Sequence, residues 1–257
     1  MSSFRILVVD DHPIFRFGLS SLLRSHEGWD VCGEAADGRD AVEKCKQSRP
    51  DLVILDICLP KLNGVDAARQ ILKHNPAQAI LILTAVDSEQ VIRECLEAGV
   101  RGWVFKSDEA TDLMTAVEAL QRRKSMFSSR VSDLIMDGYR QHRVGPPVAK
   151  VAKLSPRERE VVQLVSEGKA SKEVATILRM TVATAETHRS NILRKLKLHS
   201  VAELVLYAVR NEIVHVQSPT VLRFPKPGEG SRSLAAPVYA ELPDPNDRAD
   251  IVRREAN

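Results

Sequence analysis

No stretch of this 257-residue chain stays apolar for the roughly 18 residues that a membrane span requires, so no transmembrane helix is expected. The first residues, MSSFRILVVDD, run straight into a strand-like segment, and no signal peptide is expected either. Cysteine is scarce. Cys32, Cys45, Cys58 and Cys95 show no CxxC spacing and no cluster of histidines beside them. That argues against a zinc site and fits reduced thiols in a cytoplasmic protein. Residues 218–257 lack any helical or strand periodicity, carry balanced charge and are punctuated by prolines, so they read as a flexible tail.

The formal net charge of +3 conceals a division. Residues 1–121 hold 13 Lys and Arg against 19 Asp and Glu, a balance of −6, whereas residues 150–217 hold 12 against 7, a balance of +5. An acidic front and a basic back suggest a cation-binding site followed by a module that meets a polyanion.

The front half alternates strand and helix patterns five times. Phe4–Asp10, Trp29–Ala35, Leu52–Asp56, Ala79–Thr84 and Gly102–Lys106 are short apolar runs bounded by turn residues, the pattern of strands buried on both faces. Between and after them, His12–His26, Gly38–Ser48, Val65–His74, Glu89–Ala98 and Asp108–Arg122 have helical spacing, with Asp108 as a candidate N-cap. Such alternation predicts an α/β domain with a parallel sheet and right-handed crossovers.

The polar residues at the strand ends then fall on one edge of that sheet. Asp10 and Asp11 end the first strand, Asp56 the third, Thr84 the fourth and Lys106 the fifth. Ligands bind at the carboxyl ends of strands in open α/β sheets. Three carboxylates in one place need a cation, and hard oxygen donors with room for water favour Mg²⁺. With the cation and Lys106 each pairing with a phosphoryl oxygen, Asp56 can serve as the nucleophile. Any one of these residues alone would be an ordinary cap, turn or surface residue; the argument rests on five sharing an edge.

Residues 122–150 change character. Ser129–Arg143 has the spacing of a short helix before Gly145-Pro146-Pro147 breaks it, so the segment reads as a linker. Residues 151–216 then look all-helical. Ser155-Pro156-Arg157-Glu158 is a capping box with proline at the first helical position. Ser171 and Thr181 are candidate caps of the next two helices, and a fourth spans Ser200–Asn211. Two short helices joined by a tight turn, the second with a polar and basic outer face, fit a helix-turn-helix. In that reading Lys172, Arg189, Arg194 and Lys195 reach phosphates, and Glu186, Thr187 and Ser190 touch base edges. By periodicity alone, a helical bundle with no nucleic-acid role remains open.

Two resemblances bear on these alternatives. Residues 4–121, through DDHP at 10–13, the LDICLP context of Asp56, Thr84 and the GWVFK segment, resemble the receiver domain of bacterial two-component response regulators. The resemblance implies a flavodoxin-like doubly wound parallel five-stranded sheet of order 2-1-3-4-5. It further implies Asp56 as phosphoacceptor, Mg²⁺ held by Asp10, Asp11, Asp56 and the backbone carbonyl of Cys58, and phosphoryl binding by Thr84 and Lys106. Trp103 falls at the family's switch position, commonly Tyr or Phe. The segments LSPREREVVQLVSEGKASKEVATIL and TAETHRSNILRKLKLHS resemble the LuxR-type helix-turn-helix, with 182–197 as recognition helix and His188 on its inner face. The order receiver, linker, LuxR-type domain is that of NarL/FixJ-type regulators. It implies a transcription regulator phosphorylated by a sensor histidine kinase, binding double-stranded promoter DNA as a homodimer and not a membrane. Two rivals are set against it: a regulator with a vestigial receiver that needs no phosphorylation, and a haloacid-dehalogenase-like phosphohydrolase. The latter would need an Asp two residues after Asp56, where Cys58 stands.

Overall fold

The computed structural model describes residues 3–128, 131–133 and 154–214. Strands β1 (Phe4–Val9), β2 (Trp29–Ala35), β3 (Leu52–Leu55), β4 (Ala79–Thr84), β5 (Gly102–Phe105) and β6 (Met126–Phe127) form one parallel sheet of order β2-β1-β3-β4-β5-β6. Helices α1 (Pro13–Arg24), α2 (Gly38–Ser48), α3 (Gly64–His74), α4 (Glu89–Ala98) and α5 (Ala110–Gln121) cover it. Successive strand residues point to opposite faces, which explains the unbroken apolar runs. Leu7, Val9, Val53, Leu55, Ile80 and Ile82 enter the core shared with α2, α3 and α4. Ile6, Val8, Ile54, Leu81 and Val104 enter the opposite core, with Leu19 and Leu23 of α1 and Leu113 and Val117 of α5.

The sheet has six strands where five were expected. β6 lies in the segment read as linker and pairs with β5 through Gly102↔Met126 and Trp103↔Phe127. Two residues are too short a run for alternation to reveal a strand. Residues 131–133 are helical, and Val131 is fully buried in the α2–α4 core. The rest of the expected linker helix and the 217–257 tail lie outside the described residues. Asp108 is not the cap of α5. Glu109 holds that position, and the Asp108 carboxylate accepts from the Phe105 N–H at 2.8 Å.

The second lobe comprises α6 (Pro156–Ser166), α7 (Ser171–Leu178), α8 (Val182–Leu196) and α9 (Val201–Arg210) around Val161, Leu164, Val174, Leu178, Ala185, Ile192, Leu204 and Ala208. The capping box at Ser155 forms in both directions, with Ser155 N donating to Glu158 at 2.7 Å and Glu158 N to Ser155 Oγ at 3.2 Å. Thr181 and Ser200 cap α8 and α9. Ser171 does not cap α7. It is the first helical residue, Ala170 precedes it, and Glu173 reaches back to the Ala170 N–H at 2.9 Å. Within α6, Glu160 to Val165 are buried without a break. A helix covered all round is sandwiched: its apolar side faces its own lobe, and Arg159, Glu160, Gln163 and Glu167 face the sheet domain. Among the described residues no helix is long and apolar enough to cross a membrane.

The turn after β3 is built for close approach. Asn63 caps α3 by accepting from the Asp66 N–H at 2.8 Å, and a Cβ on Gly64 would lie 2.0 Å from the Asp56 carbonyl oxygen. A backbone atom cannot yield as a side chain does. Gly64→Ala is expected to cost about 1–3 kcal/mol, read as a lowered midpoint in thermal or urea unfolding.

Candidate functional site

The carboxyl ends of the strands bring the acidic residues together as expected. Asp10 and Asp56 are 1% and 2% exposed, and ligand atoms of Asp10, Asp11, His12 and Asp56 all lie within 4.8 Å of one another. The Lys106 ammonium, its side chain 3% exposed, sits 2.7 Å from Asp10 Oδ2 and 2.7 Å from Asp56 Oδ2. The other oxygens are fixed by backbone. Asp10 Oδ1 accepts from the His12 N–H at 2.8 Å, and Asp56 Oδ1 accepts from the N–H groups of Ile57 at 2.6 Å and Cys58 at 3.3 Å. Asp56 Oδ2 is thus the oxygen held by a side chain alone, and Lys106 is its partner.

The electrostatics follow from this packing. Burial pushes the Asp10 carboxyl above its ordinary value, with Lys106 opposing and the charge of Asp56 adding. Burial works against the Lys106 ammonium, but the Asp56 and Asp10 carboxylates outweigh it and hold it above the usual lysine value. Carboxylates drawn into low dielectric need positive charge beside them. One cation is present as Lys106, and the cluster of hard oxygens fits a second, divalent one.

Thr84 is fully buried at the end of β4, and its Oγ1 accepts from the Val86 N–H at 3.1 Å. Its carbonyl accepts from the Lys106 N–H at 2.9 Å, which ties the hydroxyl and the ammonium to one strand pair. Trp103 is not among the carboxylates. It is fully buried in the α2–α4 core, in edge contact with Phe105 at 6.1 Å between ring centroids. Cys58 lines a cavity with Asp11. Burial, then the Asp56 charge, push its thiol up to about 12. Three neighbours escaped the sequence reading. His12 Nδ1 lies 2.8 Å from Asp11, Phe15 places its ring 4.6 Å from Lys106 Nζ, and Arg16 donates to the Asp10 carbonyl at 2.6 Å. The position of His12 directly after the acidic pair was the available signal.

In the second lobe, Ala185 and Ile192 point inward and Glu186, Thr187, Ser190 and Arg194 are exposed along α8. Arg189 and His188 are half-buried. Lys195 sits at the edge of this face, 2.7 Å from the Glu158 carboxylate, and Lys172 is exposed on α7. Thr187 Oγ1 donates to the Ala183 carbonyl at 2.8 Å, which leaves its oxygen lone pairs outward. The surface is therefore polar, uncovered and mounted on a helix of fifteen residues.

Comparison with known proteins matches two families, one to each lobe. Residues 6–118 match the response regulator receiver domain, and residues 152–208 match the luxR family of bacterial regulatory proteins. The response regulator protein VraR of Staphylococcus aureus is 31% identical over 212 residues, spanning 82% of this chain and 99% of that protein. Among solved structures, the RcsB response regulator of Salmonella typhimurium covers 80% of this chain and 97% of its own at 27% identity and a TM-score of 0.53. A further RcsB structure, bound to a promoter in the presence of a phosphomimetic, covers 80% and 98% at 27% identity and a TM-score of 0.51.

The thiols of the sheet domain offer a direct check on the site. Burial raises Cys45 to about 11 and Cys95 to about 12, as it does Cys58. At pH 8 a thiol titrating near 12 is about a thousandfold less ionised than a free one. Timed alkylation with mass mapping is expected to find Cys58 unmodified when a free thiol has been consumed.

Proposed function

Because this chain belongs to the two-component response regulators that join a receiver to a LuxR-type DNA-binding domain, we propose that phosphorylation of Asp56 by a sensor histidine kinase controls its binding to promoter DNA. The observation that carries the reading is the buried triangle of Asp10, Asp56 and Lys106, with both ion pairs at 2.7 Å. Asp56 Oδ2 attacks the phosphorus, the bond from phosphorus to the donor's imidazole nitrogen breaks, and that nitrogen keeps the electron pair. Lys106 stays as counter-ion to the phosphoryl oxygens, and the Thr84 hydroxyl, which accepts from the Val86 N–H, keeps its own proton to donate to one of them. Asp10, Asp11, Asp56 and the carbonyl of Cys58 would hold Mg²⁺, which supplies charge neutralisation at the phosphoryl group. The reading is of a regulator rather than a turnover enzyme, because the position two residues after Asp56 carries Cys58 and not the Asp that a phosphohydrolase needs as acid and base. It works in the cytoplasm and binds DNA as a homodimer.

On DNA, Lys172, Arg189, Arg194 and Lys195 contact phosphates, with Lys195 leaving Glu158, while Glu186, Thr187 and Ser190 reach base edges. A second reading, DNA binding without phosphorylation, draws support from Trp103. At 0% exposure it already fills its pocket, so inward motion of that ring has nowhere to go.

Binding to promoter DNA at fixed salt, by wild type and Asp56→Ala, with and without a small phosphoryl donor and Mg²⁺, separates the two. Tighter binding of phosphorylated wild type alone supports the switch; equal binding throughout supports the second reading. Arg194→Ala is expected to weaken binding alike on all sequences and to lower the slope of log K against log salt by about 1, measured by fluorescence anisotropy across a salt series.

A further inference from the structure

The loop between β3 and α3 leaves Asp56 directly, and its backbone is held by the other lobe. Gln163 of α6, 2% exposed, spans it: Oε1 accepts from the Asn63 N–H at 2.7 Å and Nε2 donates to the Leu59 carbonyl at 2.9 Å. The amide orientation is dictated, because a backbone N–H only donates and a carbonyl only accepts. One helical turn on, Glu167 takes the Lys61 N–H on both carboxylate oxygens at 3.0 and 3.2 Å, and Gln163 Nε2 steadies it at 2.7 Å. Lys61 is left-handed, with φ of 64°. The backbone groups of Leu59, Lys61 and Asn63 thus find partners in the DNA-binding lobe. Further out, Arg159 pairs with Asp66 at 3.1 Å and Glu94 at 3.4 Å.

The same side chains wall a cavity of about 170 Å³, with Gln163, Glu167 and Ile213 on one side and Asp11, Cys58 and Asn63 on the other. A donor approaching Asp56 along that edge meets the second lobe. Yet Glu186, Thr187, Ser190 and Arg194 are exposed with the lobes in contact. The contact covers the acceptor side and leaves the DNA-reading face open.

We propose that Gln163 and Glu167 are positioning residues for phosphoryl uptake. They hold the loop after Asp56 closed, so the DNA-binding lobe sets how fast its own receiver is phosphorylated. This rests on the reading of Asp56 as acceptor. By linkage, phosphorylation loosens the grip of the lobe by the same free energy with which the grip disfavours the phosphorylated state.

The test uses the full chain with acetyl phosphate and Mg²⁺, and follows phosphorylation by intact mass. In the step, Asp56 attacks phosphorus and acetate leaves with the electron pair. Gln163→Glu removes the donor to Leu59, and Glu167→Ala removes the acceptor for Lys61. Each is expected to raise the rate about fivefold, the equivalent of one net hydrogen bond lost from the closed form, with affinity for a single DNA half-site unchanged. Glu167→Gln keeps an oxygen for the Lys61 N–H and is expected to stay near wild type. Arg159→Ala opens the contact without touching the loop, and is expected to accelerate uptake even if a loop variant folds poorly. Wild-type phosphorylation with no acceleration in the folded variants overturns the inference. So does a change in half-site affinity, which would mean that the contact covers the reading face. No modification of Asp56 in wild type would sink the parent reading, and this inference with it.

Discussion

A single ammonium group, Lys106 Nζ, holds Asp10 and Asp56 together in a site almost closed to water. Two carboxylates drawn this far from solvent would repel and move apart without it. Their separation fixes the ends of β1 and β3, and the end of β5 is fixed by the backbone of Lys106 itself, bonded to the Thr84 carbonyl. Removing one member of a buried ionic group leaves the others uncompensated, at a cost of about 3–5 kcal/mol. The geometry of the whole ligand edge therefore depends on one side chain, and any phosphoryl group added at Asp56 competes for it.

Much of this was legible because the signals were local. Alternating apolar runs gave five strands, and the pairing of Asp10-Asp11 with Asp56, Thr84 and Lys106 followed from where those runs end. The capping residues Ser155, Thr181 and Ser200 also announced themselves, since their bonds close within three residues. Asp108 and Ser171 misled for the converse reason. Each has the right side chain at a helix start, but in both cases the helix begins one residue away from the expected register, and a neighbour takes the role.

What stayed hidden was long-range. Gln163 lies between apolar neighbours of α6 and carries no motif, yet it bonds a loop a hundred residues earlier in the chain. Its spacing from Glu160 and Glu167 draws a polar stripe down one side of α6, which could have been read as a second face but not as a match for a particular loop. Trp103 was placed by analogy at a switch. The structure adds only where the ring lies, fully buried in the core beside Phe105.

The polar character of that stripe sets the thermodynamics of parting the lobes. Arg39, Asp66, Gln70 and Glu94 meet Arg159 and Glu160 across the contact, so separation wets charges and amides, with Ile213 and Val214 the apolar exceptions beside Leu59. Heat capacity rises when apolar surface is hydrated and falls when polar surface is. Parting a contact this polar therefore carries a much smaller heat-capacity increase per unit area than unfolding either core would, and exposes little of the apolar surface that drives aggregation.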